Sequence, residues 1–176
     1  KNYLLYPAQF WKHKNHEYII KSFKNLSQSN LNNLNMIFTG EDKGNLLNIK
    51  NLINKFNLNK NFCIFNYVSN EELCELYKNC KGVIIPTKVG LHTFPLYEAF
   101  YFKKPVIYNV DNLDPSLKDK VIKLDISDVT HLEKLIPILN EANYIKQLTH
   151  KNREYYDSLF TEKKYNKILL ELFNNF

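Results

Sequence analysis

The chain has 176 residues, of which 44% are hydrophobic and 24% charged, a balance close to that of the average soluble domain. No apolar run approaches the roughly 20 residues of a membrane-spanning helix, and the residues after Lys1 do not resemble a secretion signal. The net charge of +6 comes from scattered lysines, with Arg153 as the single arginine. Because arginine forks are missing, we expect no nucleic-acid partner, whereas peripheral contact with anionic lipid needs only point charges.

Six short apolar runs are typical of strands, and segments with helical spacing lie between them. This alternation predicts an α/β fold, in which helices cover both faces of a parallel sheet and the strands are apolar on both sides. We expect a Rossmann-like, three-layer α/β/α domain of about six strands, which occupies residues 1–176 as a single domain. The predicted strands are residues 3–7, 36–39, 62–65, 83–86, 106–108 and 121–124.

Helix signals occupy the gaps between these strands. Asn15 is a candidate N-cap, and Ser69 with Glu72 matches a capping box. Pro95 stands where the first turn of a helix tolerates proline. We expect one helix after Asn15, one over residues 46–56, one after Ser69 and one over residues 95–102. A fifth helix is expected from Ser127 or Asp128 to about Asn140, and a terminal helix packed on the sheet is expected to begin at Thr161.

The three cysteines, Cys63, Cys74 and Cys80, show no CxxC spacing. They predict small buried side chains in a reducing compartment rather than disulfides or a zinc site. This indicates a cytoplasmic protein, with the inner membrane face as the place of any peripheral contact.

Two loops after predicted strands carry candidate site residues. Residues 7–16, after the first strand, include Trp11 and place Lys14 just before a helix. A helix N-terminus with an added lysine suits an anion. The residues of the loop alone nevertheless favour the alternative, in which Lys14 is solvated and Trp11 covers the rim of the core. The loop has neither a GxGxxG nor a P-loop signature.

The second loop leads into residues 94–102, an apolar helix that contains Glu98. A carboxylate in such surroundings needs a partner, because burying it unpaired is costly. A structural role, in which Glu98 bonds a neighbouring loop or the helix dipole, and a functional role, in which it accepts hydrogen bonds from ligand hydroxyls, both remain open.

Three ordered segments, residues 38–42, 66–77 and 95–107, together resemble the C-terminal domain of family 4 (group 1) glycosyltransferases of the GT-B fold. The resemblance extends over nearly the whole chain. It implies that Glu98 holds the ribose hydroxyls of a nucleotide-sugar donor and that Lys14 neutralises the donor diphosphate. Tyr67, Val68 and Leu73 would pack on the base, and the backbone N–H groups of Thr93 and Phe94 would hold phosphate.

The chain departs from the family pattern at two positions. Gly90 stands eight residues before Glu98, where the family's first motif acid would contact the donor sugar, and Gln9 stands where many members have an arginine. A similar glycine, followed by a polar pair, occurs in one branch of the family. His92 and Thr93 would then supply the polar contacts, so the resemblance implies a divergent site rather than an inactive one.

The implied activity is retaining transfer of a sugar from a UDP- or GDP-linked donor to a glycan or lipid-linked acceptor, in surface polysaccharide synthesis. No cofactor or metal is expected, because no Asp-x-Asp or histidine cluster is present. The acceptor would bind to an N-terminal domain. Because this chain has no second set of βαβ units to form such a domain, we expect the C-terminal domain alone to be inactive. The alternatives are a flavodoxin-like or receiver-like binding module and a catalytically inactive glycosyltransferase remnant.

Overall fold

The computed structural model describes residues 2–89 and 94–160. Six parallel strands in these residues form one sheet in the order β3-β2-β1-β4-β5-β6. All six predicted strands are confirmed to within one residue at each end. They are β1 (Tyr3–Pro7), β2 (Asn35–Thr39), β3 (Phe62–Phe65), β4 (Gly82–Ile85), β5 (Val106–Asn109) and β6 (Ile122–Leu124).

The chain order reverses direction across the sheet between β1 and β4. Leu5 of β1 lies beside Ile37 of β2 on one side and beside Val83 of β4 on the other. Ligands of open α/β sheets bind outside the carboxyl ends of the strands at such a reversal. The observed order differs from the flavodoxin-like order 2-1-3-4-5, so the sheet does not have a flavodoxin-like topology. A non-catalytic Rossmann-like binding module stays an alternative.

Helices cover both faces of the sheet, as expected. Helix α1 contacts α3 and α6, α5 contacts α7, and Tyr77 of α4 stacks on Phe102, the residue after α5. The helices are α1 (His16–Lys24), α2 (Gln28–Asn33), α3 (Leu46–Lys55), α4 (Asn70–Asn79), α5 (Phe94–Tyr101), α6 (His131–Leu135) and α7 (Ala142–Leu159).

The expected burial of every strand on both faces holds for β4 and β5 and fails at the edge strand β3. All four residues of β4 and of β5 are buried, whereas β3 alternates between half-buried and exposed residues because it is an edge strand. The prediction of three buried cysteines fails at two positions. Cys63 is exposed because it lies on the edge strand β3, and Cys74 of α4 is half-buried, while Cys80 is buried. All three thiols are free.

Other helix predictions need correction. The helix expected from Ser127 or Asp128 to Asn140 is the short α6 followed by a 3-10 turn, Ile138–Asn140. The Asp128 side chain accepts a hydrogen bond from the Thr130 N–H at 2.8 Å, a local turn that competes with helix, and Pro137 ends the helical run. Helices α2 and α7 were not predicted, and the terminal helix expected from Thr161 lies outside the described residues.

The Ser69–Glu72 capping box is confirmed. The Ser69 hydroxyl accepts from the Glu72 N–H at 3.2 Å, and the Glu72 carboxylate accepts from the Ser69 N–H at 2.7 Å. Asn15, by contrast, does not cap α1 with its side chain. It adopts a left-handed conformation (φ 59°), and its side-chain amide instead donates to the Pro86 carbonyl at 3.1 Å.

Candidate functional site

The loop after β1 is fixed at both ends. Phe10 is fully buried, and its N–H donates to the Glu41 carbonyl at 2.9 Å. The Tyr6 hydroxyl donates to the Lys14 carbonyl at 2.8 Å and lies 2.9 Å from the Thr87 hydroxyl oxygen. The loop after β1 is therefore joined to the loop after β2 and to the loop after β4.

Lys14 is the cation that this loop presents at the carboxyl end of the sheet. Its side chain is half-buried, and burial lowers the pKa of the ammonium below its usual value. Within residues 2–89 and 94–160, no carboxylate or other acceptor pairs with this ammonium. The site therefore offers a partly desolvated positive charge with no counter-ion, which is a suitable arrangement for an anionic ligand.

Gln9 is held by neighbours of opposite hydrogen-bonding character. The Trp11 indole N–H donates to Gln9 Oε1 at 2.9 Å, and Gln9 Nε2 lies 3.5 Å from the Glu41 carboxylate. Glu41 in turn forms an ion pair with Lys43 at 2.6 Å. These contacts fix which end of the amide is the donor, and Gln9 lines the same cavity as Lys14 without adding a second cation.

Two adjoining cavities lie at the carboxyl ends of the strands and share Gln9. The smaller, of about 250 Å³, lies between the loops after β1 and β4, and Lys14, Thr87 and Phe94 line it. The larger, of about 730 Å³, lies between the loops after β1, β2 and β3, and its lining residues include Gln9, Tyr67, Val68 and Leu73. The smaller cavity is therefore the crevice at the reversal of strand order, and the larger cavity extends it across β2 and β3.

Tyr67 is 86% exposed and Phe94 is 85% exposed. Exposed aromatic rings beside a cavity provide flat apolar surfaces on which a ring-shaped ligand can stack. The two rings belong to different cavities, Tyr67 to the larger and Phe94 to the smaller. Apolar surface is thus available on either side of Gln9.

Glu98 lies on α5 and lines a third cavity, of about 390 Å³, which adjoins the crevice through Phe94. Its Oε2 atom accepts a hydrogen bond from the Tyr77 hydroxyl at 2.6 Å. The hydrogen-bond partner that the Glu98 carboxylate needs in its apolar surroundings is thus a buried tyrosine of α4. A cavity beside the same carboxylate leaves room for a ligand. The two roles left open for Glu98 are compatible.

Tyr77 was not among the predicted site residues, although a signal for it was present. A buried tyrosine hydroxyl needs a hydrogen-bond partner, and Glu98 was already an acid without one. Tyr77 also lies four residues after Leu73 on α4, and therefore on the same helix face and about 6 Å further along the axis.

Of the predicted site residues, Gly90, His92 and Thr93 lie outside the described residues. Gln9 joins Tyr67, Val68 and Leu73 in one cavity and Lys14 and Phe94 in the next, while Phe94 and Glu98 share the third. The roles assigned to these residues stay predictions.

His16, the second histidine of the loop, contributes no charge to the site. Its ring is completely buried among the rings of Tyr6, Phe10 and Phe38, with centroid distances of 4.8, 4.7 and 5.0 Å. Burial lowers the pKa of this imidazole to about 3, so it is neutral near pH 7 and supports the loop by packing.

In the described part of the chain, no three His, Cys, Asp or Glu side chains are grouped so that they could hold a metal ion. None of its helices is both long enough and apolar enough to cross a bilayer. The metal-free site and the location of the protein stay predictions.

Three solved structures illustrate the similarity of the fold. Sucrose-phosphate synthase from Thermosynechococcus elongatus superposes with a TM-score of 0.81 at 18% identity, over 100% of this chain and 46% of that one. Anabaena Alr3699/HepE, solved with UDP-glucose, gives 0.83 at 12% identity, over 100% and 50%. The catalytic domain of cholesterol-alpha-glucosyltransferase from Helicobacter pylori gives 0.72 at 12% identity, over 89% and 98%.

This chain spans about half the length of the first two structures, and at these identities the likeness shows the fold alone. No curated protein sequence matches the chain. The family model for group 1 glycosyl transferases matches residues 1–136, which is most of the chain and includes all six strands, both loops of the crevice and Glu98. The chain belongs to the group 1 glycosyl transferases, with the Rossmann-like fold of the GT-B enzymes.

Proposed function

We propose that this chain binds the nucleoside diphosphate of a sugar donor in the two adjoining cavities and against Glu98, which lines the third. The observation that carries the proposal is the placement of the Lys14 ammonium in the crevice between β1 and β4, with no acceptor for it among the described residues. A diphosphate placed there gains a charge-assisted hydrogen bond, and no described carboxylate competes for the lysine.

The remaining proposed contacts combine the cavity linings with the roles that the family resemblance implies. The base packs against Tyr67, Val68 and Leu73 in the larger cavity, while Gln9 and the amino end of α5 face the diphosphate. Glu98 accepts hydrogen bonds from the ribose hydroxyls. The backbone N–H groups of Thr93 and Phe94 would add to the phosphate contacts, and Gly90, His92 and Thr93 would contact the sugar.

For the whole protein we propose a retaining transfer. The bond between the anomeric carbon and the diphosphate oxygen breaks while the acceptor oxygen bonds to the anomeric carbon from the same face of the sugar. The proton of the acceptor hydroxyl leaves with the departing diphosphate. Lys14, Gln9 and the backbone N–H donors stabilise the charge that develops on this leaving group. Such fixed donors are effective because they need no reorganisation as the charge forms. This arrangement does not require a metal ion.

The donor is UDP- or GDP-linked, and the structure solved with UDP-glucose makes UDP the first nucleotide to test. The acceptor, a glycan or a lipid-linked sugar, would bind a second domain of the whole protein. A role in surface polysaccharide synthesis at the inner membrane face fits such an acceptor and the net positive charge.

The test is calorimetric titration of the purified protein with UDP and GDP, in the wild type and in Glu98→Ala. If Glu98 holds ribose hydroxyls, the variant should raise the Kd of the preferred nucleotide about tenfold or more, since hydrogen bonds to charged groups are the stronger class. Glu154→Ala is the matched control, because it removes the same charge from an exposed position on α7.

Equal Kd values for the wild type and Glu98→Ala would exclude Glu98 from the site, and no binding of either nucleotide would reject the proposal. Sugar release from a panel of UDP- and GDP-sugars by the whole protein then tests transfer. Nucleotide binding without any transfer would support the inactive-remnant alternative instead.

A further inference from the structure

The hydrogen bond between Tyr77 and Glu98 lies at the edge of the proposed nucleotide site. In the part of the chain that the structure describes, the Tyr77 hydroxyl is the single donor to the Glu98 carboxylate, at 2.6 Å from Oε2. Oε1 has no protein partner there, and Glu98 lines the 390 Å³ cavity that adjoins the crevice. One carboxylate oxygen is thus held by the protein while the other is available.

Tyr77 itself has little freedom to move. Its side chain is 1% exposed, and its ring stacks on Phe102 with 5.3 Å between centroids and 10° between planes. Phe102 follows Glu98 by one helical turn and donates its N–H to the Glu98 carbonyl at 3.0 Å. The tyrosine is therefore locked against the helix that carries the acid it bonds.

We propose that Tyr77 is a positioning residue for ribose recognition: its hydroxyl holds Glu98 Oε2 and leaves Oε1 to accept a hydrogen bond from a ligand hydroxyl. This rests on the proposed function, in which Glu98 contacts the ribose. Holding one oxygen removes rotational freedom from the carboxylate before the ligand arrives, and that freedom would otherwise be lost on binding.

The Tyr77 hydroxyl keeps its proton. Burial first, and the negative charge of Glu98 second, raise the pKa of the Tyr77 phenol far above its usual value. The phenol therefore remains a hydrogen-bond donor wherever Glu98 is ionised.

Tyr77→Phe tests the proposal, because it keeps the ring and its stacking and removes only the hydroxyl. The probes are UDP and 2′,3′-dideoxyuridine diphosphate, whose sugar lacks the hydroxyls that Glu98 would accept from. We expect Tyr77→Phe to raise the Kd of UDP about three- to tenfold and to leave the Kd of the dideoxy nucleotide unchanged. In a Glu98→Ala background, Tyr77→Phe should have no further effect.

Tyr3→Phe is the matched control, because the Tyr3 hydroxyl donates to the Leu76 carbonyl of the same helix α4 at 2.8 Å and does not contact Glu98. It should leave both Kd values unchanged, and melting temperatures of all variants report folding separately. If Tyr77→Phe raises the Kd of both nucleotides equally, the positioning role is overturned. It is also overturned if Tyr77→Phe changes neither Kd although Glu98→Ala raises the Kd of UDP. If Glu98→Ala itself has no effect, the failure lies in the proposed function.

Discussion

Replacing Lys14 with alanine tests the charge at the centre of the proposed site. A lysine–phosphate hydrogen bond is worth about 1.5–3 kcal/mol, and because the side chain is only half-buried we discount this to about 1–2 kcal/mol for solvent screening. Lys14→Ala should therefore raise the Kd of the nucleoside diphosphate about 5- to 30-fold. Calorimetric titration at fixed ionic strength measures this change.

The matched control is Lys12→Ala. Lys12 is exposed and belongs to the same 3-10 turn, Lys12–Lys14, so its removal changes the net charge equally without removing a cation that lines the crevice. Its effect on the Kd should be less than about twofold, because exposed charges are well screened. Equal effects of Lys12→Ala and Lys14→Ala would refute the assignment, since the lysine would then act only through the overall field.

The pH dependence gives a second test of Lys14. Burial lowers the pKa of its ammonium below 10.5 in the free protein, and a bound diphosphate should raise it again. The contribution of Lys14 to affinity is then fully present below the pKa that its ammonium has in the free protein, and it is lost as the pH rises through that pKa. The Kd of the wild type should therefore begin to rise at a pH below 10.5, and Lys14→Ala should lack this component. Added salt should weaken the wild type more than the variant.

Three further substitutions test the frame around the site. Gly40→Ala should destabilise the protein by about 1–3 kcal/mol, because Gly40 has φ +155° and an added Cβ would lie 2.5 Å from the Ala8 carbonyl oxygen; an unchanged melting temperature would contradict this. Ser69→Ala removes a confirmed capping box and should cost about 1 kcal/mol in urea unfolding, with no change in nucleotide affinity. Tyr6→Phe removes a hydroxyl that contacts the loop after β1 at Lys14 and the loop after β4 at Thr87. The substitution should lower the free energy of unfolding by about 1 kcal/mol and raise the rate of amide hydrogen exchange in both loops. Exchange rates equal to those of the wild type would exclude the bridging role.

The strands could be predicted from the sequence because the central ones are buried on both faces and therefore read as continuous apolar runs. Helix α7 escaped prediction because its sequence is largely polar and its described buried residues are only Leu148, Thr149 and Asn152, too few to produce a clear helical repeat. The exposure of Cys63 depends on β3 being an edge strand, and strand order is not contained in the hydrophobic pattern of any single strand.

Some residues of the candidate site could likewise be predicted from the sequence, and others could not. Lys14 and Glu98 could be named as candidates because a charge beside a helix start or inside an apolar helix needs an explanation. The pairing of Tyr77 with Glu98 joins residues 21 positions apart through the packing of α4 against the end of α5. Such a contact depends on the tertiary arrangement, which neither segment specifies by itself.

Hydrogen bonds join the two loops of the crevice to each other and to the sheet. Besides the Tyr6 contacts, the Asn15 amide donates to the Pro86 carbonyl at 3.1 Å, and the Asn109 amide donates to the Thr87 carbonyl at 3.0 Å. The backbone of Lys88 also donates to the His13 carbonyl at 3.0 Å. These bonds form when the chain folds, so the conformational entropy of these segments is lost before any ligand arrives. If the proposed function holds, this part of the crevice is ordered for its ligand by folding alone, before any ligand is bound.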